Sequence, residues 1–149
     1  MVGCKKHASD LPGMSASINN VPWSATSNYA AVKPNTATGQ SVLVISCFDH
    51  DALFNTVFSN NRGINFYIIN YTYKPGTFNI SFDSSSTSYC QAIYYDGPHE
   101  GRVISGTITL TKVYSNNVQG TYAGYAIDSN SIPNATYSIK NGSFDINLQ

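Results

Sequence analysis

The stretch from Arg102 to Gln149 limits the fold more than any other part of the chain. Residues 103–111 read V-I-S-G-T-I-T-L-T. Ile104, Gly106, Ile108 and Leu110 fall in one register and Ser105, Thr107, Thr109 and Thr111 in the other. This two-residue period marks a half-buried β-strand. Val118, Gly120, Tyr122, Gly124 and Ala126 repeat the pattern. Two further alternating runs follow, separated by Asn141-Gly142. Asn-Gly between such runs is a strong hairpin signal, because a type I′ turn needs positive φ at both central residues. A turn there would pair Lys140 with Ser143 and Ile139 with Phe144, placing the last two on one face. Both are apolar, as that register requires.

The remaining chain reads the same way. Alternation predicts strands at residues 14–19, from Trp23, at 64–73, 77–83 and 88–95. Residues 41–47 form a short continuous apolar run, as in a strand buried on both faces. Asn20 to Trp23 forms a turn, residues 29–39 a loop with Pro34, and residues 96–101 a loop. Residues 48–61 fit either a helical spacing of Leu53, Phe54, Val57 and Phe58 or a strand around Val57. No long amphipathic helix and no repeat is visible. The expectation is all-β: a single antiparallel β-sandwich of about nine or ten short strands, barrel-like in its alternative form. Residues 14–149 form that domain, and residues 1–13 a flexible N-terminal tether.

Charge narrows the function. Charged residues are 11% of the chain and the formal net charge is zero, against about 25% charged in an average soluble domain. Phosphate binding needs clustered Lys and Arg, so nucleic acid is not an expected partner. Gly3-Cys4 follows an apolar residue and precedes a polar stretch. That matches the end of a bacterial lipoprotein signal and makes Cys4 the candidate lipidation site, with residues 5–13 as tether. Cys47 and Cys90 stand at or near the ends of strand-like runs. They are either a disulfide joining distant strands or two buried thiols.

Residues 17–25, S-I-N-N-V-P-W-S-A, together with Gly106-Thr-Ile-Thr-Leu-Thr111, Gly120-Thr-Tyr122 and Asn141-Gly-Ser-Phe-Asp-Ile146, resemble a family of uncharacterised secreted lipoproteins of Bacteroidota. Its members carry an INGxPW opening, a GT(I/V)T(I/L)T strand, a GTF strand and a closing NGxF strand. Pro75-Gly76-Thr77-Phe78 also fits. The resemblance covers residues 14–148 and departs at Asn20, Tyr122 and Gly124. It implies a β-sandwich, a lipid anchor outside the cytoplasm and no assigned activity, and it carries over no catalytic residue.

Chemistry-bearing clusters are sparse. Asp49-His50-Asp51 is the densest, but too few further ligands accompany it for Ca²⁺ or Zn²⁺, so no metal and no cofactor is expected. Asp96, His99 and Glu100 share one loop without an associated nucleophile, and read as a surface turn. A hydrolase would require Asp49, Asp51, Asp96, His99 and Glu100 to meet in one cleft. Trp23 is read first as a core residue. Tyr67, Tyr71 and Tyr73 fall in one register and, with Trp23, are the candidate ligand platform, with core or rim as the competing assignment.

The resulting expectation is a non-enzymatic extracytoplasmic lipoprotein domain, a binding or accessory subunit of a cell-envelope complex. It would be anchored through Cys4 to the outer membrane, on its periplasmic or surface face. Its partner would be an envelope protein or a glycan. The alternative is a carbohydrate-binding module using the Tyr and Trp platform.

Overall fold

The computed structural model describes residues 13–36, 38–49, 62–81, 89–97 and 99–149. Among them are ten strands and no helix: β1 (Gly13–Ile18), β2 (Val21–Ser24), β3 (Ser27–Pro34), β4 (Ser41–Phe48), β5 (Arg62–Ile69), β6 (Gly76–Asn79), β7 (Cys90–Asp96), β8 (His99–Val113), β9 (Asn117–Asp128) and β10 (Ala135–Asn147). All named strands pair antiparallel in one sheet, ordered β2-β1-β10-β9-β8-β7-β5-β4-β3. β8 is long enough to hold two neighbours on one edge. Its start pairs with β7 and its later part with β6.

The two edges of this sheet, β2 and β3, are consecutive in the chain, with only Ala25 and Thr26 between them. The three Cα–Cα steps from Ser24 to Ser27 reach about 10 Å, so the sheet must curl to bring the end of β2 to the start of β3. Gln149 N–H donates to the Ala30 carbonyl at 2.9 Å, and Ala30 bridges Leu148 in parallel, so β3 also touches the end of β10. The all-β antiparallel expectation holds, and of its two forms the barrel-like one is present: a single curled sheet.

The concave side is filled. Met14, Ile18, Trp23, Leu43, Ile45, Ile64, Phe66, Ile68, Ile108, Leu110, Val118, Ile139, Phe144 and Ile146 are all buried in one core cluster. Alternation along each strand sends these inward, and fully burying each large apolar side chain stabilises by about 1.5–3 kcal/mol. Residues 41–47 differ from expectation. β4 buries Leu43, Ile45 and Cys47, whereas Val42 and Val44 are half-buried on the convex side. Residues 29–39 are not one loop, because Ser27–Pro34 is the edge strand β3.

Asn141-Gly142 is not a hairpin. β10 runs straight through it, pairing with β9 from Ala135↔Asp128 to Asn147↔Asn117. Between Ile139↔Gly124 and Gly142↔Tyr122 the register shifts by one residue. This is a β-bulge, with Asn141 at φ 52°. The extra residue resets the parity of the strand, which is why Ile139 and Phe144, five apart, are both buried. The shared face was read correctly and the turn was not. The true type I′-like hairpin is Asn19-Asn20, with φ 50° and 64°, joining β1 to β2. β8 bulges between Val103 and Ser105, so Val103 as well as Ile108 and Leu110 point inward. The side chain of Ile104 lies outside the described residues.

Beside the β10 bulge, two aromatic rings cover two glycines. Tyr122 faces Gly142 across the ladder, and Phe144 faces Gly120. A Cβ on Gly142 would stand 2.6 Å from the Tyr122 ring carbons, and one on Gly120 would meet the Thr109 backbone carbonyl and then the Phe144 ring. Aromatic rings commonly fill the space left by a cross-strand glycine. The Tyr122 hydroxyl also donates to the Ser15 carbonyl at 3.1 Å, tying β9 to β1 across the core. Gly142→Val and Gly120→Val should each destabilise by about 1–3 kcal/mol through overpacking, measured as a lowered urea midpoint at constant slope. A change within error at both sites would contradict this ring packing.

Candidate functional site

Of the titratable groups singled out from the sequence, Asp49, Asp96 and His99 lie towards one end of the barrel, each with a partner, and Tyr94 and Tyr137 stand between them. Asp49 accepts the Arg62 backbone N–H at 2.8 Å and its Nε–H at 3.1 Å, clamping the ends of β4 and β5. Asp96 stands opposite Arg62 on one side and opposite His99 on the other. The expected loop at residues 96–101 is thus a tight β7–β8 hairpin, with Gly97 at φ 60°. The Tyr137 hydroxyl hydrogen-bonds Asp96, and burial followed by this carboxylate raises the Tyr137 pKa. Burial first, and Asp96 second, likewise holds the Tyr94 phenol neutral.

His99 has a partner that local sequence did not reveal. Its Nδ1 lies 3.1 Å from Oδ2 of Asp128, the one buried charged residue among those described, 1% exposed. Asp128 Oδ1 accepts the Asn130 N–H at 2.8 Å, and the Asp128 carbonyl accepts the Ser131 hydroxyl at 3.0 Å. Ser131 Oγ in turn accepts the Ala135 N–H at 2.6 Å. The pair therefore organises the β9–β10 loop. A carboxylate on Nδ1 orients an imidazole as it does for general bases. The hydroxyl in this loop that bonds to Asp128, that of Ser131, is engaged by backbone groups instead. The parity of β9 was the available signal, since it sends Asp128 to the inward side with Val118, Tyr122 and Ala126.

Glu100 lies on the other side of the sheet. It is exposed next to Tyr95, whose pKa is raised by burial first and Glu100 second. His50 and Asp51 lie outside the described residues. Asp49, Asp96, His99 and Glu100 therefore do not converge in one cleft. Among the described residues no group of three or more His, Cys, Asp or Glu could hold a metal.

The candidate ligand platform is not assembled, which corrects that assignment, whereas Trp23 is in the core as first read. Trp23 and Tyr71 are each 3% exposed and belong to the core, Tyr67 is half-buried, and Tyr73 is 59% exposed. The cause is Asn70. Its φ of 57° breaks the alternation after β5 and turns Tyr71 inward, against a Tyr73 ring 5.0 Å away.

Cys47 and Cys90 are free and buried, so the disulfide alternative is also corrected. Cys47 pairs with Ile64 and Cys90 with Ile68, on opposite sides of β5. Two strand spacings and four residues of rise put them about 16 Å apart, far beyond the reach of a disulfide. Burial raises both thiols from 9.0 to about 12. Cys4 lies outside the described residues.

A different feature opens on the convex side. A shallow concavity of ≈ 400 Å³ sits over β8, β9 and β10, lined by Thr107, Thr121, Ala123, Asn141, Ser143 and the Tyr122–Gly142 pair. Its chemistry is uncharged. It lies on a row of hydroxyls running straight across the sheet: Thr77, Thr109, Thr121, Ser143, Ser15 and Ser24. Within the row, Thr77 and Thr109 hydroxyls are 2.9 Å apart, and those of Ser15 and Ser143 3.2 Å. Thr107 and Thr121 were legible as outward residues. Asn141 was not, because it was assigned to a turn. No family model matches the chain, and neither does any curated protein or solved structure.

Three outcomes follow. Asp128→Ala should lower stability by about 1–3 kcal/mol, the cost of leaving buried partners unsatisfied, and should increase amide exchange at residues 129–135. Unchanged exchange there would remove the anchoring role. The raised thiols and phenols also set a pH window. Unfolded thiols lose their protons near pH 9.0, whereas those of the folded chain hold them to about 12. Their contribution is therefore complete below about pH 9 and is lost as pH rises from there towards 12. The urea midpoint should hold steady from neutrality to that point and then fall. Peptide mapping after alkylation in native buffer should find Cys47 and Cys90 unmodified.

Proposed function

We propose that this chain is a non-enzymatic binding or accessory domain of the bacterial cell envelope, held at the outer membrane by a lipid on Cys4. The observation that carries the binding half is the filled interior. Side chains from every layer of the sheet occupy the concave side, so a ligand or partner meets the outer face and the loops. The described carboxylates nearest to chemistry, Asp49, Asp96 and Asp128, are committed to Arg62, Tyr137 and His99, which fits a structural role for them. A barrel whose outer surface carries many hydroxyls and few charges suits recognition rather than bond-making.

The anchor half rests on Gly3-Cys4 and on the polar residues after it. A lipid on the first residue of the mature protein, plus a short tether, would hold the barrel near the membrane surface. Expressed in a bacterial envelope system with a clickable fatty acid, the protein should take up label and sediment with membranes, and Cys4→Ser should lose both properties. An unlabelled wild-type protein in the cytosolic fraction would overturn the anchor.

A further inference from the structure

The concavity over the β10 bulge is not a simple crease between side chains. It exists because the backbone at Asn141 departs from the strand. A non-glycine residue at φ 52° is uncommon, and bulges recur where a strand must re-aim a side chain beside a functional site. Here the bulge lifts Asn141 out of the ladder and exposes it, while Gly142 drops onto the Tyr122 ring. Ala123, a small residue, lines the concavity together with Asn141 and the Thr121–Ser143 pair.

What the concavity offers is uncharged, with apolar ring and methyl surface alongside hydroxyls and one amide. Thr107, Thr121 and Asn141 line it, and among the described residues no side-chain hydrogen bond engages them. Hydroxyls donate and accept, and an amide does both through separate atoms, so the set suits a ligand with many hydroxyls of its own. Tyr125 stands on the same side of β9 as Thr121 and Ala123, two residues beyond Ala123, and is 39% exposed. It supplies an apolar ring with a polar tip about 7 Å along the strand. A volume of ≈ 400 Å³ is within the about 300–1,000 Å³ typical of small-molecule sites. Lys140 is exposed next to Asn141 but does not line the concavity.

We infer that this concavity is a binding site for a neutral saccharide, with Asn141, Thr121 and Thr107 hydrogen-bonding its hydroxyls and Tyr125 stacking on a sugar face. The inference rests on the reading of the chain as a binding domain and names the ligand class. It also moves the aromatic contact from Tyr67, Tyr71, Tyr73 and Trp23 to Tyr125.

The test is amide-resolved NMR titration of the folded protein with neutral disaccharides (cellobiose, maltose, chitobiose, laminaribiose, xylobiose) and with a uronate disaccharide. At least one neutral sugar should shift resonances confined to residues 105–109, 120–126 and 138–144. Asn141→Gly keeps the left-handed backbone and removes only the amide, and Tyr125→Ala and Thr121→Val alter exposed side chains. Each should weaken binding about three- to ten-fold with the urea midpoint unchanged, and Lys140→Ala should leave it as it was. No shift with any neutral sugar at millimolar concentration, shifts elsewhere on the barrel, or binding of the uronate alone would overturn the saccharide site. Fatty-acid labelling of Cys4 reads separately. Label without sugar binding removes this site and leaves the anchored domain standing, whereas loss of both removes the broader reading as well.

Discussion

Two residues, Ala25 and Thr26, set the shape of the molecule. They join β2 at one edge of the sheet to β3 at the other, and a link that short cannot span an open sheet of this width. The sheet must curl, and curling gives every strand a crowded concave side and an open convex side. Burial of Leu43, Phe66, Ile108 and Phe144 follows from that geometry, as does the exposure of Thr121 and Ser143. It also blunts the edges. β2 carries Pro22, and β3 is partly covered by the end of the chain through Ala30, so neither presents a long bare ladder for unwanted pairing.

Curling has a local cost that glycine, bulges and aromatic rings meet together. Along β8, β9 and β10 the register shifts at residues 103–105, 110–112 and 139–142. Such bulges increase twist and bend the strand. Tyr122 sits at the centre of the arrangement. Its ring covers Gly142, lies 5.1 Å from Phe66 edge to face, and its hydroxyl reaches Ser15. The bulge that adjusts curvature on the inside is also what raises Asn141 on the outside. One backbone irregularity thus serves the core and creates the concavity.

The legible and illegible parts of the chain divide by the range of the interactions behind them. Strand identity was readable at residues 14–18, 64–69, 90–95, 103–111 and 118–126, because alternation is a local pattern. The inward sets Ile64–Phe66–Ile68 and Val118–Tyr122–Ala126 were read as the structure has them. Asn141-Gly142 misled, since the same left-handed preference serves a turn and a bulge, and only the partner strand distinguishes them. Asn70 misled in the same way. Its positive φ turns Tyr71 into the core, where a continued strand would have left Tyr67, Tyr71 and Tyr73 together. His99 and Asp128 are 29 residues apart, and nothing local links them. The buried position of Asp128 was nevertheless implied by the parity of β9.

The amino-acid sequence by itself determined that this chain is an antiparallel all-β domain with an apolar face on each long strand and almost no charge to spare. Those properties follow from period two and composition, which each segment carries alone. The tertiary structure decided that one sheet curls into a barrel-like form, that Cys47 and Cys90 stay apart, and that Asn141 stands at the rim of a concavity. Each of these depends on register between strands far apart in the chain. A shift of a single residue in that register exchanges inside for outside, and only the assembled sheet holds it in place.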